Sequence, residues 1–174
     1  MSAAAPVQEQ GTLAAVLVAL YPNEGELHVV LTKRRADLKR HAGEISFPGG
    51  RWDTTDEDLS VTALREAEEE IGLKRDRVRL LGALERTSTF MTGYIIQPFV
   101  GLIPDGESWL PASSEVESVL EPSLSQLRAA RTRTELQRRG ITFETDAYVF
   151  DGQVVWGATA RILEHLLERL EGLL

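Results

Sequence analysis

The chain of 174 residues contains no cysteine. Disulfides, thiolate catalysis and cysteine-ligated zinc or iron–sulfur centres are therefore excluded, and the absence of thiols fits a reducing compartment. The chain also lacks an apolar run of 18–20 residues, since the longest candidate, residues 13–20, is too short to span a bilayer. No charged-then-apolar leader precedes it. We therefore expect a cytoplasmic protein without a membrane partner.

A surplus of basic residues is absent as well. Lys and Arg number 19 against 27 Asp and Glu, which gives a formal net charge of −8. Nucleic-acid binding draws most of its affinity from a basic surface that neutralises phosphates, so no nucleic-acid partner is expected. We predict a flexible N-terminus over residues 1–10 and a single domain over residues 11–174, working as a monomer or a homodimer.

Apolar periodicity predicts strands and helices that interleave without a regular strand–helix repeat. The predicted strands cover residues 11–20, 27–32, 78–85 and 95–102, and a hairpin joins residues 141–150 to 154–156. The predicted helices cover residues 55–71, 122–137 and 158–173. This order favours an α+β fold with a mixed sheet between helices over a doubly wound parallel sheet.

The helix predicted over residues 55–71 has an unusual concentration of acids near its end. Glu66, Glu69 and Glu70 are spaced three or four residues apart, so their carboxylates point to one side. Like charges at this spacing cost roughly 0.2–0.5 kcal/mol each. A hard divalent cation such as Mg²⁺ would reverse the penalty, because it prefers carboxylate oxygens. The alternative interpretation is a solvated helix face.

A glycine pair before the helix and an arginine beside the acids complete a longer pattern. Gly50, Glu57 and the segment from Arg65 to Leu73 resemble the Nudix box, Gly-x5-Glu-x7-Arg-Glu-(apolar)-x-Glu-Glu-x-Gly-(apolar). From Glu57 onwards every specified position is met, but six residues instead of five separate Gly50 from Glu57. The resemblance implies a Nudix-type α/β/α sandwich on a mixed β-sheet.

The resemblance also implies the chemistry, which is attack of water on one phosphorus of a nucleoside diphosphate derivative. Glu66 and Glu70 are expected to bind Mg²⁺ or Mn²⁺, with the Gly50 carbonyl as a further ligand. Glu69 is expected to bind metal or to deprotonate the water. Glu115, on a later loop, is the other candidate base, and its alternative role is that of a solvated loop acid.

Arg65 and Glu57 are expected to form an ion pair that orients the acidic helix, because the guanidinium offers a rigid fork to carboxylates. An ordinary surface salt bridge, worth about 0–1 kcal/mol, is the alternative.

The segment before the box is basic in an acidic chain. Thr32, Arg34, Gly43 and residues 47–50 match, in register, the motif that precedes the box in coenzyme A pyrophosphatases. The longer box loop and a segment like residues 156–160 also resemble that branch. Coenzyme A carries a ribose 3′-phosphate, which would give the extra positive charges a partner. The predicted substrate-binding residues are Lys33, Arg34, Lys39 and Arg40, and a solvated loop is the alternative.

These observations predict a small-molecule nucleotide substrate. The favoured reaction is cleavage of coenzyme A to 3′,5′-ADP and 4′-phosphopantetheine by a Mg²⁺- or Mn²⁺-dependent enzyme. The rivals are hydrolysis of ADP-ribose, NADH or a dinucleoside polyphosphate, and a Nudix-fold module that senses nucleotides without cleaving them. Loss of box carboxylates would favour the sensor, and none is lost here.

Overall fold

The computed structural model describes residues 11–112 and 114–172. The predicted flexible terminus, residues 1–10, lies outside this part of the chain. The strands are β1 (Thr12–Asn23), β2 (Glu26–Val29), β3 (Leu31–Arg34), β4 (Ile45–Ser46), β5 (Gly49–Arg51), β6 (Arg79–Ala83), β7 (Thr87–Ser88), β8 (Tyr94–Leu102), β9 (Val116–Leu120), β10 (Arg131–Arg138), β11 (Ile141–Phe150) and β12 (Gln153–Trp156). The helices are α1 (Leu59–Ile71), α2 (Leu124–Ala130), α3 (Gly157–Leu170) and a 3₁₀ turn at Arg75–Arg77.

Strand β1 lies at the centre of the largest sheet. The sheet has the order β2-β1-β8-β6, with β5 also paired to β1 and β7 to β8. Strands β1 and β8 run parallel, whereas the other pairs in this sheet are antiparallel. The sheet is therefore mixed, as predicted. Two further three-stranded sheets follow the orders β4-β3-β9 and β10-β11-β12.

The two faces of β1 pack against different helices. Val18 and Leu20 belong to a core cluster that includes residues of α2 and α3. Leu17 and Ala19 belong to a second cluster that includes Ala63 and other residues of α1. Because side chains alternate along a strand, one apolar strand supplies both layers. The predicted α+β fold, an α/β/α sandwich on a mixed sheet, is confirmed.

The predicted helix over residues 122–137 is wrong in its second half. Helix α2 ends at Ala130, and β10 follows directly. Strand β10 pairs along its whole length with β11, from Arg131 opposite Tyr148 to Arg138 opposite Ile141. The alternating Arg-Thr-Arg-Thr sequence suits a half-exposed strand once this partner is available, and β-branched threonine disfavours a helix.

The predicted start of α1 is also wrong. The helix begins at Leu59 instead of Thr55, and its N-cap is Asp58, whose carboxylate accepts hydrogen bonds from the Ser60 and Val61 N–H groups. The predicted stop at Gly72 is confirmed, because this residue adopts a left-handed conformation with φ of 74°. Residues 55–58 therefore belong to the loop before α1, and one of them, Asp56, contributes to the candidate active site described below.

The other elements lie close to their predicted positions. The predicted strand over residues 27–32 is divided between β2 and β3, because the chain leaves the large sheet at Val30. The hairpin of β11 and β12 turns at Asp151 and Gly152, both with positive φ. Helix α3 runs from Gly157 to Leu170, and the last two residues of the chain lie outside the described part. No helix among the described residues is long and apolar enough to cross a membrane.

Candidate active site

The carboxylates of Glu66 and Glu70 lie against the glycine pair of β5. The Gly49 N–H donates a hydrogen bond to Glu70 Oε2 at 3.4 Å. A Cβ atom added at Gly50 would lie 2.5 Å from the carboxyl carbon of Glu66 and 2.6 and 2.7 Å from its oxygens. Only glycine allows this approach, so β5 and α1 together hold two acids at one place.

Burial makes this pair of acids electrostatically costly. Burial, together with the neighbouring charges of Glu66 and Glu115, raises the pKa of Glu70 to about 8. Burial also raises the pKa of Glu66, although the adjacent Arg65 opposes this shift. The site therefore disfavours two negative charges in the absence of a cation.

Arg65 is the centre of an ion-pair network at the same end of the sheet. Its Nε and Nη2 donate to the carboxylate of Asp56 at 3.0–3.2 Å. Its Nη1 donates to Glu66 Oε1 at 2.8 Å and to the Glu69 carboxylate at 3.3 and 3.4 Å. One guanidinium thus connects the loop before α1 to two acids of the helix.

Asp56 is nine-tenths buried, with an exposed fraction of 7%. Besides Arg65, it accepts a hydrogen bond from Thr62 Oγ1 at 2.8 Å. The Arg65 guanidinium is the main reason that the pKa of Asp56 is held below its ordinary value. Asp56 is therefore an ionised carboxylate that fixes Arg65 on the first turns of α1.

The predicted pair between Arg65 and Glu57 is wrong. Glu57 is exposed, and among the described residues it makes no hydrogen bond or ion pair. Asp56, the preceding residue, takes the guanidinium instead because its side chain points under α1 towards Thr62 and Arg65.

Glu115 lies beside the acidic pair, as the loop hypothesis requires. Its carboxylate is 3.3 Å from Arg34 Nη1, and its carbonyl oxygen accepts a hydrogen bond from the Arg35 N–H at 2.9 Å. The negative charge of Glu115 contributes to the raised pKa values of Glu66 and Glu70. Both candidate bases, Glu69 and Glu115, therefore carry an arginine partner and keep about half of the side chain exposed.

The structure brings only one of the predicted substrate-binding residues to the acids. Arg34 is half-buried, bonds Glu115, and has a buried Nε atom without a hydrogen-bond partner in the described residues. Lys39 and Arg40 are exposed in the segment between β3 and β4, and Lys33 is half-buried in β3. Within the described residues, the side chains of these three make no hydrogen bond or ion pair.

A family model for the NUDIX domain matches residues 11–142, which is about three-quarters of the chain. The chain belongs to the Nudix family. The box that carries this identity is the loop and helix that bring Gly50, Arg65, Glu66 and Glu70 together.

Two curated relatives support the assignment. A Photorhabdus laumondii protein named "Uncharacterized Nudix hydrolase NudL" is 35% identical over 145 residues, covering 82% of this chain and 77% of the relative. A protein of the same name from Salmonella paratyphi B is 37% identical over 157 residues, covering 88% and 80%. The protein is thus a Nudix hydrolase.

Two solved structures share the fold at low sequence identity. The Nudix hydrolase RenU of M. smegmatis gives a TM-score of 0.68 at 16% identity, covering 94% of this chain and 88% of its own. The NUDIX domain of Shewanella oneidensis NrtR, complexed with ADP ribose, gives 0.63 at 17% identity, covering 92% and 88%. Both confirm the Nudix fold of this chain.

The Nudix box spacing now has a structural explanation. Five residues separate Gly50 from Asp56, so the acid at the spacing of the box is Asp56. The additional residue of this chain lies between Asp56 and Arg65, in the loop before the N-cap Asp58. The five-residue spacing after Gly50 therefore identifies Asp56 as the partner of Arg65.

Nudix hydrolases generally use divalent metal ions, and the donor set of this chain fits one. Among the described residues, no three acidic or histidine side chains are close enough together to hold a metal ion by themselves. Mg²⁺, however, keeps several waters and needs only one or two carboxylates beside substrate phosphates. Glu66 and Glu70 supply two, and glycine at position 50 leaves room for the Glu66 carboxylate beside the Gly50 backbone.

We predict that Asp56→Asn destabilises the protein by about 1.5–3 kcal/mol, because it removes charge-assisted hydrogen bonds from Arg65. Glu57→Gln changes an exposed side chain one residue away that has no hydrogen bond or ion pair in the described part of the chain, and should change the unfolding free energy by less than about 0.5 kcal/mol. Urea unfolding of both variants measures the difference. Equal effects would contradict the assignment of Asp56 as the partner of Arg65.

We also predict a pH-dependent effect of Glu70→Gln on the metal-free protein. The raised pKa of Glu70 means that the folded state binds the Glu70 proton more tightly than the unfolded state does. The resulting contribution to the free energy of unfolding is fully present below the ordinary carboxyl pKa and is lost as the pH rises towards 8. The variant should therefore be stabilised relative to wild type more at pH 8.5 than at pH 6.

Urea unfolding in EDTA at the two pH values measures this effect. Glu68→Gln, an exposed acid of the same helix, is the matched control and should show no such pH dependence beyond that of wild type. If the difference in unfolding free energy between wild type and Glu70→Gln is the same at both pH values, Glu70 does not retain its proton in the folded state.

Proposed function

We propose that this Nudix hydrolase is a Mg²⁺- or Mn²⁺-dependent pyrophosphatase that cleaves coenzyme A to 3′,5′-ADP and 4′-phosphopantetheine. The observation that carries the metal dependence is the placement of Glu66 and Glu70 against Gly49 and Gly50, where burial disfavours their charges unless a cation is present. When bound, a divalent cation neutralises charge on the phosphates and polarises the scissile bond.

The protein's own groups position the reacting diphosphate. Arg65 holds Glu66 through its 2.8 Å hydrogen bond and is itself held by Asp56, so the Glu66 carboxylate is oriented before substrate binds. Arg34 supplies a guanidinium beside the acids, which can donate to a phosphate oxygen. Glu69 and Glu115 are the two candidate bases, and Gly50 is a further candidate ligand through its carbonyl.

The basic segment supports coenzyme A among the possible diphosphates. Arg34 lies at the acids, whereas Lys39 and Arg40 remain exposed on the neighbouring segment and can meet a second phosphate group of the ligand. The ribose 3′-phosphate of coenzyme A is such a group.

The main alternative is another nucleoside diphosphate derivative. The NUDIX domain of NrtR, which shares the fold, is complexed with ADP ribose, so ADP-ribose is the first rival to test. A sensor that binds without cleaving is disfavoured because Arg65, Glu66, Glu69 and Glu70 are all present. We further propose that residues 11–174 form one domain that acts in the cytoplasm as a monomer or a homodimer.

We expect turnover of coenzyme A in a panel that contains ADP-ribose, NADH and a dinucleoside polyphosphate, each assayed with Mg²⁺ and with Mn²⁺. Glu66→Gln and Glu70→Gln should each lower kcat by orders of magnitude while the fold is retained. Glu57→Gln is the matched control and should keep near wild-type turnover. Near-normal turnover of both box variants at limiting metal would contradict the metal-site assignment.

We expect Arg34→Gln and Arg40→Gln to reveal what the basic segment binds. A charge-assisted contact contributes roughly 1.5–3 kcal/mol, or about 10–150-fold in kcat/KM. A residue that contacts the 3′-phosphate should lose this factor for coenzyme A but much less for dephospho-coenzyme A, whereas a residue that contacts the scissile diphosphate should affect both substrates equally. If each variant changes kcat/KM equally for coenzyme A and dephospho-coenzyme A, the basic segment does not bind the 3′-phosphate.

A further inference from the structure

A cleft of about 420 Å³ opens on the α1 face of the large sheet, next to the box. Its walls come from β1, the residue after β5, the first turn of α1, and the β6–β8 region. Among the lining residues are Leu13, Trp52, Leu59, Arg86, Gln97 and Phe99. None of these residues belongs to the metal-binding or basic groups described above.

Strand pairing places Trp52, a wall of the cleft, on the same face of the sheet as the acidic pair. Gly50 pairs with Ala15, and residues two apart on a strand point to the same face about 7 Å from each other. Trp52 therefore lies on the face where Gly50 meets Glu66, and the Trp52 N–H extends the pairing by donating to the Leu13 carbonyl at 3.0 Å. The Arg51 carbonyl between them accepts a hydrogen bond from Arg65 at 3.4 Å.

The separation along α1 suits a nucleotide. Leu59 lines the cleft, and Glu66 follows seven residues later, which corresponds to about 10 Å along the helix axis. A nucleoside extended from its diphosphate covers a distance of this order. A ligand with its phosphates at Glu66 would therefore bring its base to the cleft.

The chemistry of the walls suits a flat heteroaromatic ring. The Trp52 side chain is large, apolar and 41% exposed, and Phe99 and Leu13 provide further apolar surface. The Gln97 amide gives the cleft a polar edge, and two hydrogen bonds fix its orientation. Its Nε2 donates to the Leu84 carbonyl at 2.8 Å, and its Oε1 accepts from Arg86 Nε at 3.1 Å. Apolar walls with a few oriented polar groups are typical of small-molecule sites.

We propose that Trp52 and Phe99 bind the nucleobase of the nucleotide substrate in this cleft, while the diphosphate lies at Glu66 and Glu70. The inference rests on the proposed function for the presence of a nucleotide, but not on which nucleoside diphosphate derivative is cleaved. Base stacking on an aromatic side chain contributes roughly five- to 150-fold in affinity.

Binding is tested without turnover. Adenosine 3′,5′-bisphosphate, which has no diphosphate bond to hydrolyse, is titrated into the wild-type protein with Mg²⁺ present while tryptophan fluorescence is followed, and quenching is expected. Trp52→Phe should remove the quenching, because Trp109 and Trp156 lie outside the cleft lining. 4′-Phosphopantetheine, which has no base, should quench neither protein.

Kinetics test the same residue on the substrate found in the panel. Trp52→Ala and Trp52→Leu should raise KM about five- to 150-fold and leave kcat within about threefold. The matched control is Phe90→Ala, which removes a ring that is 93% exposed and packs 5.3 Å from the guanidinium of Arg161 on α3. Because α3 packs on the opposite face of the sheet, this variant should behave as wild type.

The outcomes separate the two proposals. Quenching that persists in Trp52→Phe, or an unchanged KM in folded Trp52→Leu, overturns the cleft assignment and leaves the hydrolase function intact. Absence of turnover with every diphosphate of the panel overturns the proposed function, whereas Trp52-dependent quenching by the bisphosphate would still support a base-binding cleft. Absence of quenching in the wild type overturns the cleft assignment directly.

Discussion

The close contact between β5 and α1 is the constraint on which the candidate site depends. A Cβ atom at Gly49 would lie 2.3 Å from the Ala15 carbonyl, and one at Gly50 would overlap the Glu66 carboxylate. Two consecutive residues without side chains therefore let a strand lie between β1 and the acidic side of the helix. Buried carboxylates become possible there because backbone and guanidinium donors reach them.

Arg65 turns this contact into an ordered site. It connects Asp56, which is buried under the first turns of α1, with Glu66, which lies against Gly50, and with Glu69 on the exposed side of the helix. The negative charges of Glu66 and Glu69, which destabilise the helix, thereby share the Arg65 guanidinium. Glu70 instead accepts a hydrogen bond from the Gly49 N–H. The arrangement leaves unfavourable negative charge at one point, which is the property a cation-binding site requires.

The tertiary structure also connects parts of the chain that are distant in sequence. Glu115 and Arg34 are 81 residues apart, yet the charges of both influence the pKa of Glu70. The apolar walls of the cleft come from β1, β8 and the residue that follows β5. The proposed metal ligands and the cleft lie on the same side of the large sheet, which is the side that α1 covers.

The family, the mixed sheet between helices and the one-turn spacing of Glu66 and Glu70 could be predicted from the amino-acid sequence, because periodicity and the box are local patterns. The sequence did not determine that Arg131–Arg138 is a strand, since that depends on pairing with β11. Nor did it identify Asp56 as the partner of Arg65, because neighbouring acids in a loop differ only in which one points inward. The burial of Asp56, its pairing with Arg65 and the raised pKa of Glu70 depend on packing between distant segments, so they follow from the folded chain and not from local sequence patterns.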